Sequence, residues 1–174
     1  MLFFDIRVVA ILTVAAVAAV CDVRSKRIPN VLTFGSAAAA LIYALATGGI
    51  GSLGLAAAGW LAGAVLFFPF FALGGMGAGD VKLLAALAAW FGGPADAIQL
   101  AMFAAMAGGV FGVVVALLHG YLRQALSNVW MMLIHWRTFG FQAIAGLTLT
   151  DTGAPRLAYA IPIMIGAVCT LWRG

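Results

Sequence analysis

Gly74-Gly75-Met76-Gly77-Ala78-Gly79-Asp80-Val81-Lys82 is a glycine-rich break between two apolar runs, and it carries an acid. The chain has only five acidic residues, all of them Asp. An acid placed where a bilayer-spanning segment begins is costly, and the usual reason for it is chemistry. A second acid, Asp22, closes the first apolar run directly before Val23-Arg24-Ser25-Lys26-Arg27-Ile28-Pro29-Asn30. These two stretches predict a fold that brings both carboxylates together at one membrane face.

Composition sets the fold class. Hydrophobic residues make up 66% of the 174 positions and charged residues 8%, with a mean hydropathy of +1.16, whereas a soluble domain is nearer half apolar and a quarter charged. The expectation is an all-α polytopic membrane protein. At roughly 20 apolar residues per span, the length allows about six transmembrane helices and no separate soluble module, so residues 1–174 are expected to form one domain in the lipid bilayer. The net charge of +4 comes from nine Lys and Arg scattered singly between apolar runs. These are topogenic charges, and no nucleic-acid partner is expected. Cys21 and Cys169 stand at opposite ends, and His119 and His135 read as interfacial residues. None has a second ligand at metal-binding spacing, so neither a metal nor another cofactor is expected. The N-terminal apolar run leads into Asp22 and Arg24 rather than a small-residue cleavage site, so it reads as a retained first span.

In chain order, the first span covers about 3–21 and stops at Asp22. The connection to Asn30 holds Arg24, Lys26 and Arg27, three of the nine basic residues, which places it in the cytoplasm and the N-terminus outside. Pro29 suits a helix's first turn, and the second span runs from there to about Thr47. The uncharged turn Thr47–Ser52 is expected outside, and the third span, about Leu53–Leu73, returns the chain to the cytoplasmic face. Asp22 and Asp80 therefore arrive on the same side. The helix Lys82–Trp90, only about 18 Å long at ~1.5 Å per residue, is the fourth span, short for a bilayer unless it begins earlier. Gly92-Gly93-Pro94 makes an outer turn, with Asp96 at the start of the fifth span, about Ala97–Leu118, as a helix-dipole acid. Tyr121–Phe141 mixes Arg123, His135 and Arg137 with Trp130 and Trp136. It is expected as one amphipathic interfacial helix with its tryptophans at headgroup depth. A polar connection, Gly146–Arg156, precedes the last span, about Leu157–Trp172, which is expected to break near Pro162. Six spans put both termini outside.

Two carboxylates held close cannot both ionise readily, so they share a proton. One member can then draw a proton from water while the other donates to a peptide carbonyl, which is aspartic-protease chemistry and needs no metal. Glycines at 77 and 79 allow an extended peptide or a second helix to approach Asp80 closely. Lys82, two residues on, is expected to snorkel to the interface rather than act on the acids.

Gly77-Ala78-Gly79-Asp80 resembles the Gly-x-Gly-Asp signature of membrane-embedded aspartic proteases. Asp22-Val23-Arg24-Ser25-Lys26-Arg27-Ile28-Pro29-Asn30 resembles the Asp-x-Arg-x-x-x-Ile-Pro-Asn segment of bacterial prepilin peptidases, and Gly79-Asp80-Val81-Lys82 that family's Gly-Asp-x-Lys. Ala158–Gly166, with Pro162, is similar to its closing segment. The resemblance implies that Asp22 and Asp80 are catalytic, and that Gly77, Gly79, Lys82, Arg24, Pro29 and Asn30 shape the site or bind substrate. It implies that prepilins or pseudopilins are cut between basic leader and hydrophobic helix at the cytoplasmic face of the bacterial inner membrane. The family's bifunctional members carry an N-terminal region with paired Cys-x-x-Cys motifs that is not found here, so peptidase activity without methyltransferase activity is expected, as in the short members serving tight-adherence (Flp) pili. Two rival readings are a small proton-coupled transporter using the acids as relays, and a non-enzymatic pilus-assembly membrane subunit.

Overall fold

The computed structural model describes residues 5–72, 75–120, 122–139 and 158–173. It comprises α1 (Ile6–Ser25), α2 (Asn30–Ala72), α3 (Ala78–Phe91), α4 (Pro94–Leu118), α5 (Leu122–Phe139) and α6 (Ala160–Arg173), with no strand among the described residues. Three of these, α1, α2 and α4, are long and apolar enough to cross a membrane, and α6 is a shorter apolar helix. The chain is a helical membrane protein.

α2 has 43 residues. Straight, it would extend about 64 Å, twice the roughly 30 Å of bilayer hydrocarbon. It is not straight: Gly49 holds φ 68° and ψ −161° in its middle, a backbone conformation open to glycine and strained for other residues. Contacts with α3 give the direction of each half. Asn30 meets Lys82 and Ser36 meets Trp90, so the first half runs the same way as α3. Gly59 lies against Ala88 and Gly93, and Gly63 against Leu84 and Ala85, so the second half runs the opposite way. The turn expected over 47–52 is thus a sharper reversal, with helix continuing on both sides of Gly49.

α3 is the centre of the molecule. Every residue from Leu83 to Trp90 is buried, and α1, α2, α4 and α6 all touch it. A helix apolar on all faces belongs inside a core. Sheathed by protein, α3 has no bilayer thickness of its own to match, which accounts for its 14 residues. It also starts earlier than the expected Lys82, because Gly77 in extended backbone (φ −78°, ψ 148°) serves as its N-cap. Ile11, Leu83, Leu84, Leu87, Leu100 and Ile163 are the largest apolar side chains almost wholly shielded from solvent.

α4 begins earlier than the expected Ala97, with Pro94 in its first turn instead of in the preceding loop, and carries Asp96 at the helix start as expected. It packs on α6 at Gly166, where an added Cβ would stand 2.7 Å from the Ala104 nitrogen. The two backbones are therefore in contact, as small residues permit between membrane helices. α5 falls within the expected amphipathic segment. Leu126, Trp130, Met131 and Ile134 are exposed on it, and α4 is the one described element it touches.

Two expectations are corrected. α1 does not stop at Asp22 but runs to Ser25, so the acid is carried in the last helical turn instead of a loop. α6 is not broken near Pro162: it starts at Ala160 and holds Pro162 in its first turn, where the missing N–H has no intrahelical partner to lose. The expected connection Gly146–Arg156, with Gly74, Tyr121 and Phe141, lies outside the described residues.

Candidate active site

Asp22 is buried, 7% exposed. Its Oδ2 accepts the backbone N–H of Ala160 at 3.2 Å, across 138 residues of sequence. The first amides of a helix lack intrahelical acceptors and carry its positive pole, so α6 offers Asp22 a donor and a favourable field. After Asp22 the chain turns abruptly. Lys26 takes a left-handed conformation, φ 53°, its N–H donates to the Asp22 carbonyl at 2.9 Å, and Ser25 Oγ donates to the Cys21 carbonyl at 2.7 Å. Arg24, Lys26 and Arg27 are exposed beyond this turn. Arg24 therefore belongs to the surface loop, and no ion pair joins it to Asp22 among the described residues.

Asp80 is the third residue of α3 and is equally buried, 8% exposed. Its Oδ2 accepts the Gly77 N–H at 3.2 Å, and its own N–H donates to the Gly77 carbonyl at 3.1 Å. The acid thus caps its own helix. The charge of Asp22 acts directly on Asp80, so the two carboxylates occupy one electrostatic neighbourhood.

The remaining sequence-predicted residues divide. Gly79 faces Ile28: a Cβ there would lie 3.3 Å from the Ile28 Cβ and 3.5 Å from its Cγ1. The loop after α1 therefore rests on the first turn of α3, and a side chain at 79 would press the two apart. Pro29 starts α2 through its carbonyl, which accepts from Leu32 N at 3.1 Å and Thr33 N at 3.3 Å. Asn30 Oδ1 accepts from Lys82 Nζ at 3.0 Å, and the same ammonium sits 5.2 Å from the Phe34 ring centroid. Lys82 is thus a clasp between α3 and α2, a role that differs from free snorkelling. Among the described residues no group of three or more His, Cys, Asp or Glu is placed to hold a metal ion.

The sequence reading missed the turn Ala158–Ala160, which supplies the donor to Asp22. The available signal was Pro162: taken as a first-turn proline rather than a break, it places the start of the last helix beside the acids.

Residues 9–117 match the type IV leader peptidase family, more than half of the chain. The chain belongs to that family. Its general activity is accordingly that of a leader peptidase, a hydrolase acting on prepilin-type substrates. The match takes in both Asp22 and Asp80, with the loop and glycine-rich segment around them. No curated protein and no solved structure gave a significant match to the chain.

Proposed function

We propose that this family member is a membrane-embedded aspartic endopeptidase that removes the basic leader from prepilins or pseudopilins, with Asp22 and Asp80 as a two-carboxylate dyad acting on one water. The observation that carries the reading is the burial of both acids within electrostatic reach of each other, each at a helix end and each inside the family match. α1, the two halves of α2, α3, α4 and α6 make six passes, with both acids at one end. The exposed Arg24, Lys26 and Arg27 on the loop beside Asp22 support the cytoplasmic face of the inner membrane for that end and both termini outside. The exposed apolar residues of α5 support its lying in the interface.

The dyad enters the reaction with one proton between its members. The ionised carboxylate takes a proton from water as the oxygen adds to the scissile carbonyl carbon, and the protonated one donates to the carbonyl oxygen. Collapse of the gem-diol breaks the C–N bond, a proton passes to the departing amine, and the dyad keeps one proton as at the start.

The test is cleavage of a purified prepilin by detergent-solubilised protein. Asp22→Asn and Asp80→Asn are each expected to lower the rate by on the order of 10³-fold or more, with unchanged helix content and elution volume. Undiminished processing by either variant would remove the dyad from the mechanism.

A further inference from the structure

At the end of the bundle away from Asp22 and Asp80 lies a cavity of about 110 Å³, lined by Arg7, Tyr43, Ser52, Leu55, Trp90 and Gly92 together with three alanines. Arg7 comes from the first turn of α1, Ser52 from just past the reversal at Gly49, and Gly92 from the C-cap of α3. Three segments begin, turn or end at this level, and the alanines between them are too short to close the gap.

Arg7 is half-buried. Its guanidinium lies over the Tyr43 ring at 5.5 Å, and a Cβ on Gly92 would stand 3.8 Å from its Nη1. These contacts hold the cation in place, but neither supplies a full counter-charge, and no ion pair reaches it among the described residues. Two acids share this end. Asp5 is exposed and gives Oδ1 to the Arg7 main-chain N–H at 3.0 Å, and Asp96 lies by Gly93, its Oδ2 3.6 Å from the Cβ position there. Neither lines the cavity. A cation partly withdrawn from water inside a membrane protein calls for an anion, and the planar fork of N–H donors on a guanidinium matches phosphate.

Size and surroundings narrow the ligand. The cavity falls short of the roughly 300–1,000 Å³ that encloses a whole small molecule. It has room for only a few waters at about 30 Å³ each, which suits a single phosphate group whose remainder lies outside. Leu55 in its wall and the nearby Ile50 are 56% and 82% exposed, so the space borders the lipid-facing surface of α2. We propose that this cavity is a phosphate site that seats the headgroup of an anionic phospholipid, with Arg7 as its charge partner, Ser52 Oγ as a second donor and Leu55 flanking the acyl chains. A basic pocket between membrane helices is a known setting for lipid headgroups. With no acidic side chain in the lining to receive a headgroup ammonium, a net-negative headgroup is favoured over a zwitterionic one. The inference is independent of the dyad.

The experiment follows the unfolding midpoint of the full chain in detergent against a rising mole fraction of dioleoylphosphatidylglycerol. Dioleoylphosphatidylcholine and inorganic phosphate are titrated in parallel. A ligand that binds only the folded state raises the midpoint. The anionic lipid is expected to raise it saturably, the zwitterionic lipid to do so less, and inorganic phosphate at millimolar concentration to leave it unmoved. Arg7→Gln is expected to raise the half-saturating mole fraction about tenfold. Arg173→Gln removes a cation that also lies over a ring at this end, 5.9 Å from the Phe103 centroid, but outside the cavity, and is expected to titrate as wild type. If Arg7→Gln does not fold, Ser52→Met decides: it fills the cavity from its rim, keeps the cation and is expected to show the same loss. Wild-type titration by Arg7→Gln or by Ser52→Met, or equal responses to the two lipids, would overturn the inference. A response to inorganic phosphate equal to that of the anionic lipid would overturn the lipid as the source of the phosphate.

Discussion

Near its far end α3 carries Trp90, whose indole N–H donates to Ser36 Oγ at 3.0 Å while its ring leans on Tyr43, 5.7 Å between centroids. The Arg7 guanidinium lies over the same Tyr43 ring at 5.5 Å, close to Gly92 where α3 terminates, the end of a helix that favours a cation. At its near end α3 begins with Asp80, which takes one main-chain donor, while Asp22 beside it takes another. A carboxylate offers about four acceptor positions, so both acids keep most of theirs for other donors. At the far end the indole hydrogen bond and the stacked Trp90, Tyr43 and Arg7 groups anchor the helix. The near end gathers polar groups that are matched only in part, which is what a site for water and a peptide bond requires. A bundle that holds one end firmly can keep the other in register without filling it.

Substitutions that separate the two ends sharpen this contrast. After the dyad variants themselves, the largest effect is expected from Gly79→Val. The new side chain meets Ile28, which already stands 3.3 Å from the Cβ position, and forces the Asp22 loop away from the Asp80 turn. Displacing reacting groups by up to an ångström costs on the order of 10²-fold in rate, so prepilin cleavage should fall by that amount while the unfolding midpoint moves little. A large stability loss with normal cleavage would place the 28–79 contact in the scaffold instead. A smaller effect, of the opposite kind, is expected from Trp90→Phe. It keeps an aromatic ring but removes the indole N–H bond to Ser36 and part of the buried ring volume, costing about 2 kcal/mol on unfolding in detergent and leaving the cleavage rate within about twofold of wild type. A marked drop in cleavage would show that the far end does more than anchor.

How much of this was legible beforehand depends on the range of the interaction. The apolar runs, the reversal near Gly49 and the arrival of Asp22 and Asp80 at one end follow from local composition and from the distribution of basic residues. The burial of α3 on every side does not, because an apolar stretch such as Leu83–Trp90 looks the same whether it faces lipid or protein. The helical setting of Asp22 was missed because its turn is stabilised by contacts beyond it, the Ala160 amide and the Lys26 cap. The Ala160 bond joins positions 138 apart, a pairing that exists only once α6 has docked. Lys82 was read without its partner, since Asn30 comes within reach only after the first half of α2 lies alongside α3.

The account stands on Asp22 and Asp80 meeting in one site. The direct measurement is crosslinking of the Asp22→Cys/Asp80→Cys double variant, in a background with Cys21 and Cys169 replaced by Ser, using a short bifunctional thiol reagent on protein in membranes. The account predicts an internal crosslink between the two positions, found after proteolysis and absent from either single variant. Two thiols that each react with a small monofunctional reagent but never link to each other would contradict it.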